Sequence, residues 1–398
     1  MELPRSLDDL GHALDASLDG DALLERAREL VRVPSENPPG DERAVAAAVS
    51  PHLEAIGCQV IEIEPAPGRV SLVGTLDSGR RGPTLALNGH LDVVPAGPLD
   101  AWEHPPYEAV VADGVLHGRG SCDMKGAISA AVEAARALVT SDVPWCGRIA
   151  FQFAADEETL GPHGTRALVA AGLAGADAAV VAEPTGMRLA TAERGAAWFV
   201  LRTLGKAAHG SRPAEGISAI RAMAELVPSL LDQTWDRSHP LLGGPSVNVG
   251  VVRGGDKINM VPSWCEIEVD RRTLPGETPE QVTAELQRIV DRLAATDPEF
   301  RGEVRLTAFE VACAVDQEAP IVAAAGAALR DLGLSTEPIG MHGATDARIL
   351  DEAGVPAIVL GPGDLSLAHS TAERVPVADL VTAGRTYARL FATFLAPG

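Results

Sequence analysis

The sequence lacks several features that mark large classes of protein. Its 33 lysines and arginines stand against 55 acidic residues, a net charge of -22, whereas nucleic acids and anionic membranes are bound by basic surfaces. The five cysteines are an odd number without Cys-x-x-Cys spacing, which disfavours a disulfide framework and a zinc ribbon. No apolar run is long enough to span a membrane, and residues 1–30 are charged and helix-like, unlike a signal peptide. These absences predict a cytoplasmic protein with reduced thiols and no nucleic-acid or membrane partner.

What the chain does contain predicts an α/β protein. It has 398 residues, 46% of them hydrophobic, which suits two or three globular domains. Residues 59–64, 70–76, 83–87, 148–154 and 178–181 have the composition of strands. Several of these strands alternate with helical patterns, which is typical of a mostly parallel sheet with helices on both faces. The N-terminal stretch to about residue 33 predicts one helix, and residues 95–120 predict a long loop.

The pattern changes near residue 192. The expected order is a strand at 198–204, a helix at 217–231, strands at 246–252 and 265–269, a helix at 279–295 and a strand at 303–311. This β-α-β-β-α-β order predicts an inserted ferredoxin-like domain. The predicted domains are therefore a catalytic domain made of residues 1–191 and 314–398, and an inserted domain at 192–313.

Residues able to bind metal follow the predicted strands. His90 and Asp92, at i and i+2 after a buried strand, suit a metal-binding histidine with its carboxylate partner. Ligands of open α/β sheets bind beyond the carboxyl ends of the strands, where we expect six donors: His90, Asp123, Glu157, Glu158, Glu183 and His369. Nitrogen and oxygen donors without sulfur suit zinc, cobalt or manganese, and one bridging carboxylate would allow two ions.

Each of these residues also has an ordinary interpretation. Asp123 could cap the helix that follows it, Glu157 and Glu158 could be a solvated pair, and Glu183 could belong to a turn before Pro184. The shared placement of all six at one sheet edge favours the metal hypothesis.

Several motifs resemble one known family. They are residues 88–95 (NGHLDVVP), 118–126 (GRGSCDMKG), 156–158 (DEE), 182–185 (AEPT), 205–210 (GKAAHG), 344–348 (ATDAR) and 368–373 (AHSTAE). In this order they resemble the M20 metallopeptidases and deacylases, specifically the acetylornithine deacetylase and succinyl-diaminopimelate desuccinylase branch. The resemblance covers nearly the whole chain and implies a zinc-exopeptidase-like catalytic domain with an inserted lid and dimerisation domain.

The resemblance also implies a role for each residue of the centre. His90 and Glu183 would hold one metal ion, Glu158 and His369 the other, and Asp123 would bridge them. Asp92 would orient His90, and Glu157 would be the general base and acid. A cis peptide bond is expected after the bridging aspartate, at Asp123–Met124.

The inserted domain would contribute residues that contact the substrate. His209 would stabilise the oxyanion, in its own or the partner subunit of a homodimer. Arg272 would bind the substrate carboxylate, because arginine offers a bidentate fit. Asn248, and Thr345 from the second part of the catalytic domain, would make further contacts. The family's Gly-Gly-Thr-Asp is Gly-Ala-Thr-Asp at residues 343–346 here.

The resulting functional hypothesis is a two-metal amidohydrolase that removes the acyl group of an N-acyl amino acid. Its cofactors would be two divalent ions, zinc first and cobalt or manganese as alternatives. A dipeptidase or carboxypeptidase and an N-carbamoyl amidohydrolase share the chemistry and stay open. A non-catalytic, metal-holding binding protein is the alternative from another class.

Overall fold

The computed structural model describes residues 7–397 and divides into two compact units. Unit 1 comprises Met1–Thr191, Val315–Ile339 and Thr345–Gly398, of which residues 1–6 and 398 lie outside the described part. Unit 2 comprises Ala192–Ala314 and Gly340–Ala344. Among the described residues, no helix combines the length and the apolarity that a membrane crossing requires.

Regular elements run through the whole described chain. The helices are α1 (Leu7–Ser17), α2 (Gly20–Val31), α3 (Arg43–Ala55), α4 (Lys125–Thr140), α5 (Thr165–Ala170), α6 (Ala219–Leu231), α7 (Pro279–Thr296), α8 (Pro320–Asp331), α9 (Ala347–Glu352) and α10 (Val377–Phe394). The strands are β1 (Gln59–Ala66), β2 (Arg69–Asp77), β3 (Thr84–His90), β4 (Val110–Ala112), β5 (Val115–His117), β6 (Arg148–Ala154), β7 (Ala178–Val181), β8 (Ala190–Glu193), β9 (Gly195–Leu204), β10 (Ser246–Gly254), β11 (Trp264–Thr273), β12 (Gly302–Glu310), β13 (Cys313–Ala314), β14 (Ile339–Met341), β15 (Ala357–Val359) and β16 (Arg374–Pro376).

The main sheet of unit 1 has a parallel centre. Its strand order begins β1-β2-β6-β3-β7-β15, in which β6, β3, β7 and β15 are parallel to one another. Strands β1 and β2 add an antiparallel edge. Strands β3, β6 and β7 are buried along almost their whole length, as expected for a sheet covered on both faces. The structure thus confirms the predicted α/β sheet and brings the ends of these strands together.

Unit 2 contains a separate four-stranded antiparallel sheet in the order β10-β11-β9-β12. Burial alternates along β11, since every second side chain of a strand faces the same side. Cys265, Ile267 and Val269 on the buried side belong to one core with side chains of α6 and α7. This architecture confirms the expected ferredoxin-like domain.

Two sequence-based expectations were wrong. The described part of the predicted N-terminal helix is two helices, because Asp19 is extended and accepts hydrogen bonds from the amides of Asp21 and Ala22 at 3.1 and 3.0 Å, which starts α2 anew. Its first six residues lie outside the described part of the chain. The loop predicted at 95–120 contains β4 and β5, which form a small sheet with the distant β16.

The cysteine prediction agrees with the structure. All five cysteines are free and buried, as expected for reduced thiols in a core.

Candidate metal centre

The predicted metal ligands of unit 1 lie together at the carboxyl edge of the parallel strands. His90 is the last residue of β3, Glu157 and Glu158 follow β6, and Glu183 follows β7. Two further residues, Asp123 before α4 and His369 after β15, are brought to the same place, as the contacts below show. Because β6, β3, β7 and β15 are adjacent and parallel, residues far apart in sequence meet at this edge.

Asp123 lies between the two histidines. Its Oδ1 is 2.9 Å from Nε2 of His90, and its Oδ2 is 3.4 Å from Nε2 of His369. The two oxygens of one carboxylate thus face different imidazoles, as a bridging ligand requires. The Asp123–Met124 peptide is cis, which agrees with the expectation drawn from the family resemblance.

The three glutamates complete two groups of donor atoms. His90, Asp123 and Glu158 form one group, and His90, Glu157 and Glu183 form the other, with the donor atoms of each within 4.8 Å of one another. Oε1 of Glu183 is 3.6 Å from Nε2 of His90, and Oε2 of Glu158 is 2.9 Å from Nε2 of His369. Glu157, predicted as the base, therefore lies among the predicted ligands.

Asp92 is fully buried and makes contacts that the sequence did not suggest. Nδ1 of His90 is 2.9 Å from the backbone oxygen of Asp92 and 3.7 Å from its carboxylate. That carboxylate instead accepts the backbone N–H groups of Glu157 at 3.2 Å and Glu158 at 3.1 Å. Asp92 therefore contacts the histidine ring and also fixes the turn that carries both glutamates.

Charge is crowded at this edge. Burial raises the pKa of Glu157 and Glu183 well above the usual value, and neighbouring carboxylates raise it further. Burial disfavours the charged imidazole of His90, but its hydrogen bond to Asp123 and nearby carboxylates outweigh burial and raise its pKa. Hydrogen bonds to Asp123 and Glu158 raise the pKa of His369 to about 10. The carboxylates thus repel one another, and positive charge would relieve that repulsion.

Divalent ions fit this donor set. Within residues 7–397, the ion pairs of Asp123, Glu158 and Glu183 are formed with the two imidazoles. Imidazole nitrogens and carboxylate oxygens suit zinc, cobalt and manganese. The chemistry of the donors and their surplus of negative charge therefore agree with two divalent ions held here.

Glu373 is a functional candidate that the sequence did not single out. It is 1% exposed, and its Oε1 accepts the backbone N–H groups of Gly120, Cys122 and Asp123 at 2.9, 3.1 and 3.1 Å. Its Oε2 accepts a hydrogen bond from Arg119. Burial raises the pKa of Glu373 to about 7. Its place four residues after His369, in a motif that resembles the family, could have drawn attention to Glu373. Nothing in the sequence indicated that it contacts Arg119 and the loop before Asp123.

His209 belongs to unit 2 and is exposed. Its Nδ1 lies 3.2 Å from the backbone nitrogen of Ser211, which donates to it, and 2.7 Å from the Ser211 hydroxyl. An Nδ1 that accepts an N–H leaves the proton of a neutral imidazole on Nε2. The exposed ring nitrogen of His209 is thereby assigned as a hydrogen-bond donor.

Arg272 and Asn248 share one face of the unit 2 sheet. Arg272 pairs with Ser246 across the strands, and Asn248 pairs with Asp270, so their side chains are diagonal neighbours on the same side. Arg272 is 34% exposed and lies 3.0 Å from Asp270, whereas its neighbour Arg271 is buried and paired with glutamates. Of the two adjacent arginines, Arg272 is the one available to a ligand.

Thr345 lies in unit 1 and is 3% exposed. Its hydroxyl accepts the backbone N–H of Ala347 at 3.1 Å, at the start of α9. This contact fixes the loop before the helix, and the predicted contact between Thr345 and substrate stays a prediction.

The sequence family is shown by direct comparison. Residues 86–393 match the model of peptidase family M20/M25/M40. The chain belongs to this family. It is 34% identical over 334 residues to the acetylornithine deacetylase of Myxococcus xanthus, covering 82% of this chain and 83% of that protein. It is 29% identical over 385 residues to the succinyl-diaminopimelate desuccinylase of Halorhodospira halophila, covering 94% and 99%. This M20 protein is thus a hydrolase of amide bonds.

Solved M20-type structures share its fold. An aminopeptidase PepT from Bacillus cereus superposes with a TM-score of 0.81 at 22% identity, covering 95% of this chain and 99% of that one. A dinuclear metal-binding M20 peptidase from Bacillus subtilis superposes with a TM-score of 0.73 at 18% identity, covering 94% and 98%.

Proposed function

We propose that this M20 hydrolase is a two-metal amidohydrolase that cleaves the amide bond of an N-acyl amino acid, of the deacetylase or desuccinylase type. The observation that carries the proposal is the position of Asp123, whose two oxygens face His90 and His369. The curated relatives named above, a deacetylase and a desuccinylase, support this substrate class over others.

The residues of unit 1 divide the chemistry among them. His90 and Glu183 would hold one ion, Glu158 and His369 the other, and Asp123 both. Bound divalent ions would polarise the amide carbonyl and lower the pKa of a water molecule. Glu157, whose carboxylate lies among the donor atoms of the centre, would take the proton of the attacking water and pass it to the departing nitrogen.

The residues of unit 2 would recognise the substrate. His209 would donate its Nε2–H to the developing oxyanion, and the contact of Nδ1 with Ser211 supports this tautomer. Arg272 would bind the free α-carboxylate, with Asn248 beside it. We further propose zinc as the metal, with cobalt or manganese as alternatives, and a homodimer formed through unit 2. The exposed apolar side chains of Val252 in β10 and of Ile258 after it support the dimer.

The experiment that tests the proposal is a substrate panel with metal-loaded wild-type protein. It includes N-acetylornithine, N-succinyl-diaminopimelate, other N-acyl amino acids, dipeptides and N-carbamoyl amino acids. We expect the highest kcat/KM with an N-acyl amino acid. A higher kcat/KM with a dipeptide or an N-carbamoyl amino acid would mean that the enzyme is a dipeptidase or an N-carbamoyl amidohydrolase instead. If no compound is hydrolysed, a metal-holding binding protein is favoured.

Arg272→Ala should raise KM for substrates with a free α-carboxylate by about 10- to 150-fold and change kcat little. A charge-assisted hydrogen bond contributes about 1.5–3 kcal/mol, which corresponds to that factor. The control is the same substrate as its carboxamide, whose KM should change less than about threefold because it lacks the anion. If KM rises equally for the carboxylate substrate and for its carboxamide, Arg272 does not contact the carboxylate.

A further inference from the structure

A buried polar network lies against the turn that carries Glu157 and Glu158, and its members other than Asp92 have no role in the chemistry described above. Each member is at most 6% exposed, and together they are Asn37, Glu42, Arg69, Asp92 and Asp156. Buried charges are stable only when they are paired and hydrogen-bonded. A network that concentrates three carboxylates beside a catalytic turn therefore requires an explanation.

Arg69 links two of these carboxylates. It is the first residue of β2, and its Nη2 donates to Oδ1 of Asp156. Its Nη1 lies 2.8 Å from Oε1 of Glu42, an ion pair without hydrogen-bond alignment. Two glycines leave space for the pair, since a Cβ on Gly40 would lie 1.3 Å from Nη1 of Arg69 and one on Gly161 1.8 Å from Oδ2 of Asp156.

Asp156 is the residue directly before the two glutamates, and its backbone is left-handed, with φ at 60°. A non-glycine residue in this region is held there by its surroundings. Its Oδ1 accepts the hydroxyl of Thr159 at 2.9 Å in addition to Arg69, and its Oδ2 accepts the backbone N–H of His163 at 3.2 Å. The side-chain contacts of Asp156 thus fix the direction in which the chain enters Glu157.

Asn37 connects this residue to Asp92. Its Nδ2 donates to Oδ2 of Asp92 at 2.8 Å and to Oδ1 of Asp156 at 3.2 Å. Asp92 in turn accepts the backbone N–H groups of Glu157 and Glu158, as described above. The network therefore holds the side chain before the turn and both backbone amides within it.

We propose that Arg69 and Asn37 are positioning residues, which act through Asp156 and Asp92 to hold Glu157 towards the substrate and Glu158 towards its metal. This inference rests on the proposed amidohydrolase function. Two adjacent glutamates can take different roles only if the turn between them is fixed, because an error of about 1 Å in such a group can cost about 100-fold in rate. Substitution of groups that hydrogen-bond to metal ligands typically costs about 10- to 100-fold in metal affinity or in activity.

The test compares Arg69→Met and Asn37→Ala with a matched control, Arg389→Met. Arg389 is also a buried arginine of unit 1 that bridges two carboxylates, Asp15 and Asp331. Steady-state kinetics on the best panel substrate give kcat and KM, and a titration with Zn²⁺ gives the affinity of each metal site. All measurements are made well below the melting temperature of every variant.

We expect kcat to fall about 10- to 100-fold in Arg69→Met and Asn37→Ala, with KM within about threefold of wild type and at least one zinc affinity weakened. Arg69→Lys, which keeps the charge without the fork of donors, should recover part of kcat. Arg389→Met should lose thermal stability but keep kcat and zinc affinity within about twofold.

The inference is overturned if kcat and zinc affinity of Arg69→Met and Asn37→Ala stay within about twofold of wild type, or if Arg389→Met loses as much. A wild-type protein that hydrolyses nothing would reject the proposed function instead. The zinc titration still decides the inference in that case, because unchanged affinity in both variants overturns it and a selective loss supports it.

Discussion

Glu157→Gln should lower kcat by about 100- to 10,000-fold while both metal ions stay bound. Glutamine has nearly the size of glutamate but cannot take the proton of the attacking water. Because Glu157 lies close to His90 and Glu183, a loss of metal would be the sign that it is a ligand instead. Kinetics and elemental analysis of the purified protein measure the two effects separately.

The neighbouring variant Glu158→Gln provides the matched control. Glu158 lies 2.9 Å from His369 and is proposed as a ligand, so this variant should bind less metal. If Glu157→Gln loses an equivalent of metal while Glu158→Gln keeps both, the two roles are exchanged. If neither variant changes kcat, the proposed chemistry is wrong.

The position of the centre at the carboxyl edge of the parallel strands could be predicted from the sequence, because each strand is visible as a short apolar segment. His90, Glu157 and Glu183 each follow a short apolar run, and parallel strands bring such positions together. Helices α6 and α7 and the four strands of the antiparallel sheet in unit 2 could be predicted for the same reason, since their periodicity is visible within each segment. Their β-α-β-β-α-β order along the chain is typical of a ferredoxin-like domain.

The contacts that support the centre could not be predicted, since they join residues without a shared local pattern. The Asp92 carboxylate accepts an amide 65 residues away, and Glu373 binds an arginine 254 residues away. Strands of three residues such as β5 and β16 are also too short to show periodicity. The break at Asp19, by contrast, had a signal, because aspartate is a favoured N-cap residue.

Glu373→Gln should destabilise the folded protein by about 1–3 kcal/mol, because it leaves buried hydrogen-bond donors without an acceptor. Arg119 is 1% exposed, and Glu373 is the carboxylate that pairs with it. The side-chain oxygen of a glutamine can accept either from the backbone N–H groups of Gly120, Cys122 and Asp123 or from Arg119. Its NH₂ group then faces the remaining donors, which lose their acceptor. Urea unfolding of the metal-free protein measures this loss.

The same variant should also weaken metal binding by about 10- to 100-fold, since the three amides fix the loop that ends at Asp123. Glu133→Gln is the matched control. Glu133 is fully buried, pairs with Arg26 and Arg136, and accepts the backbone N–H of Asp19 at 2.7 Å. It should lose stability but keep its metal affinity, measured by calorimetric titration with Zn²⁺. Equal metal affinities in the two variants would mean that Glu373 stabilises unit 1 without positioning Asp123.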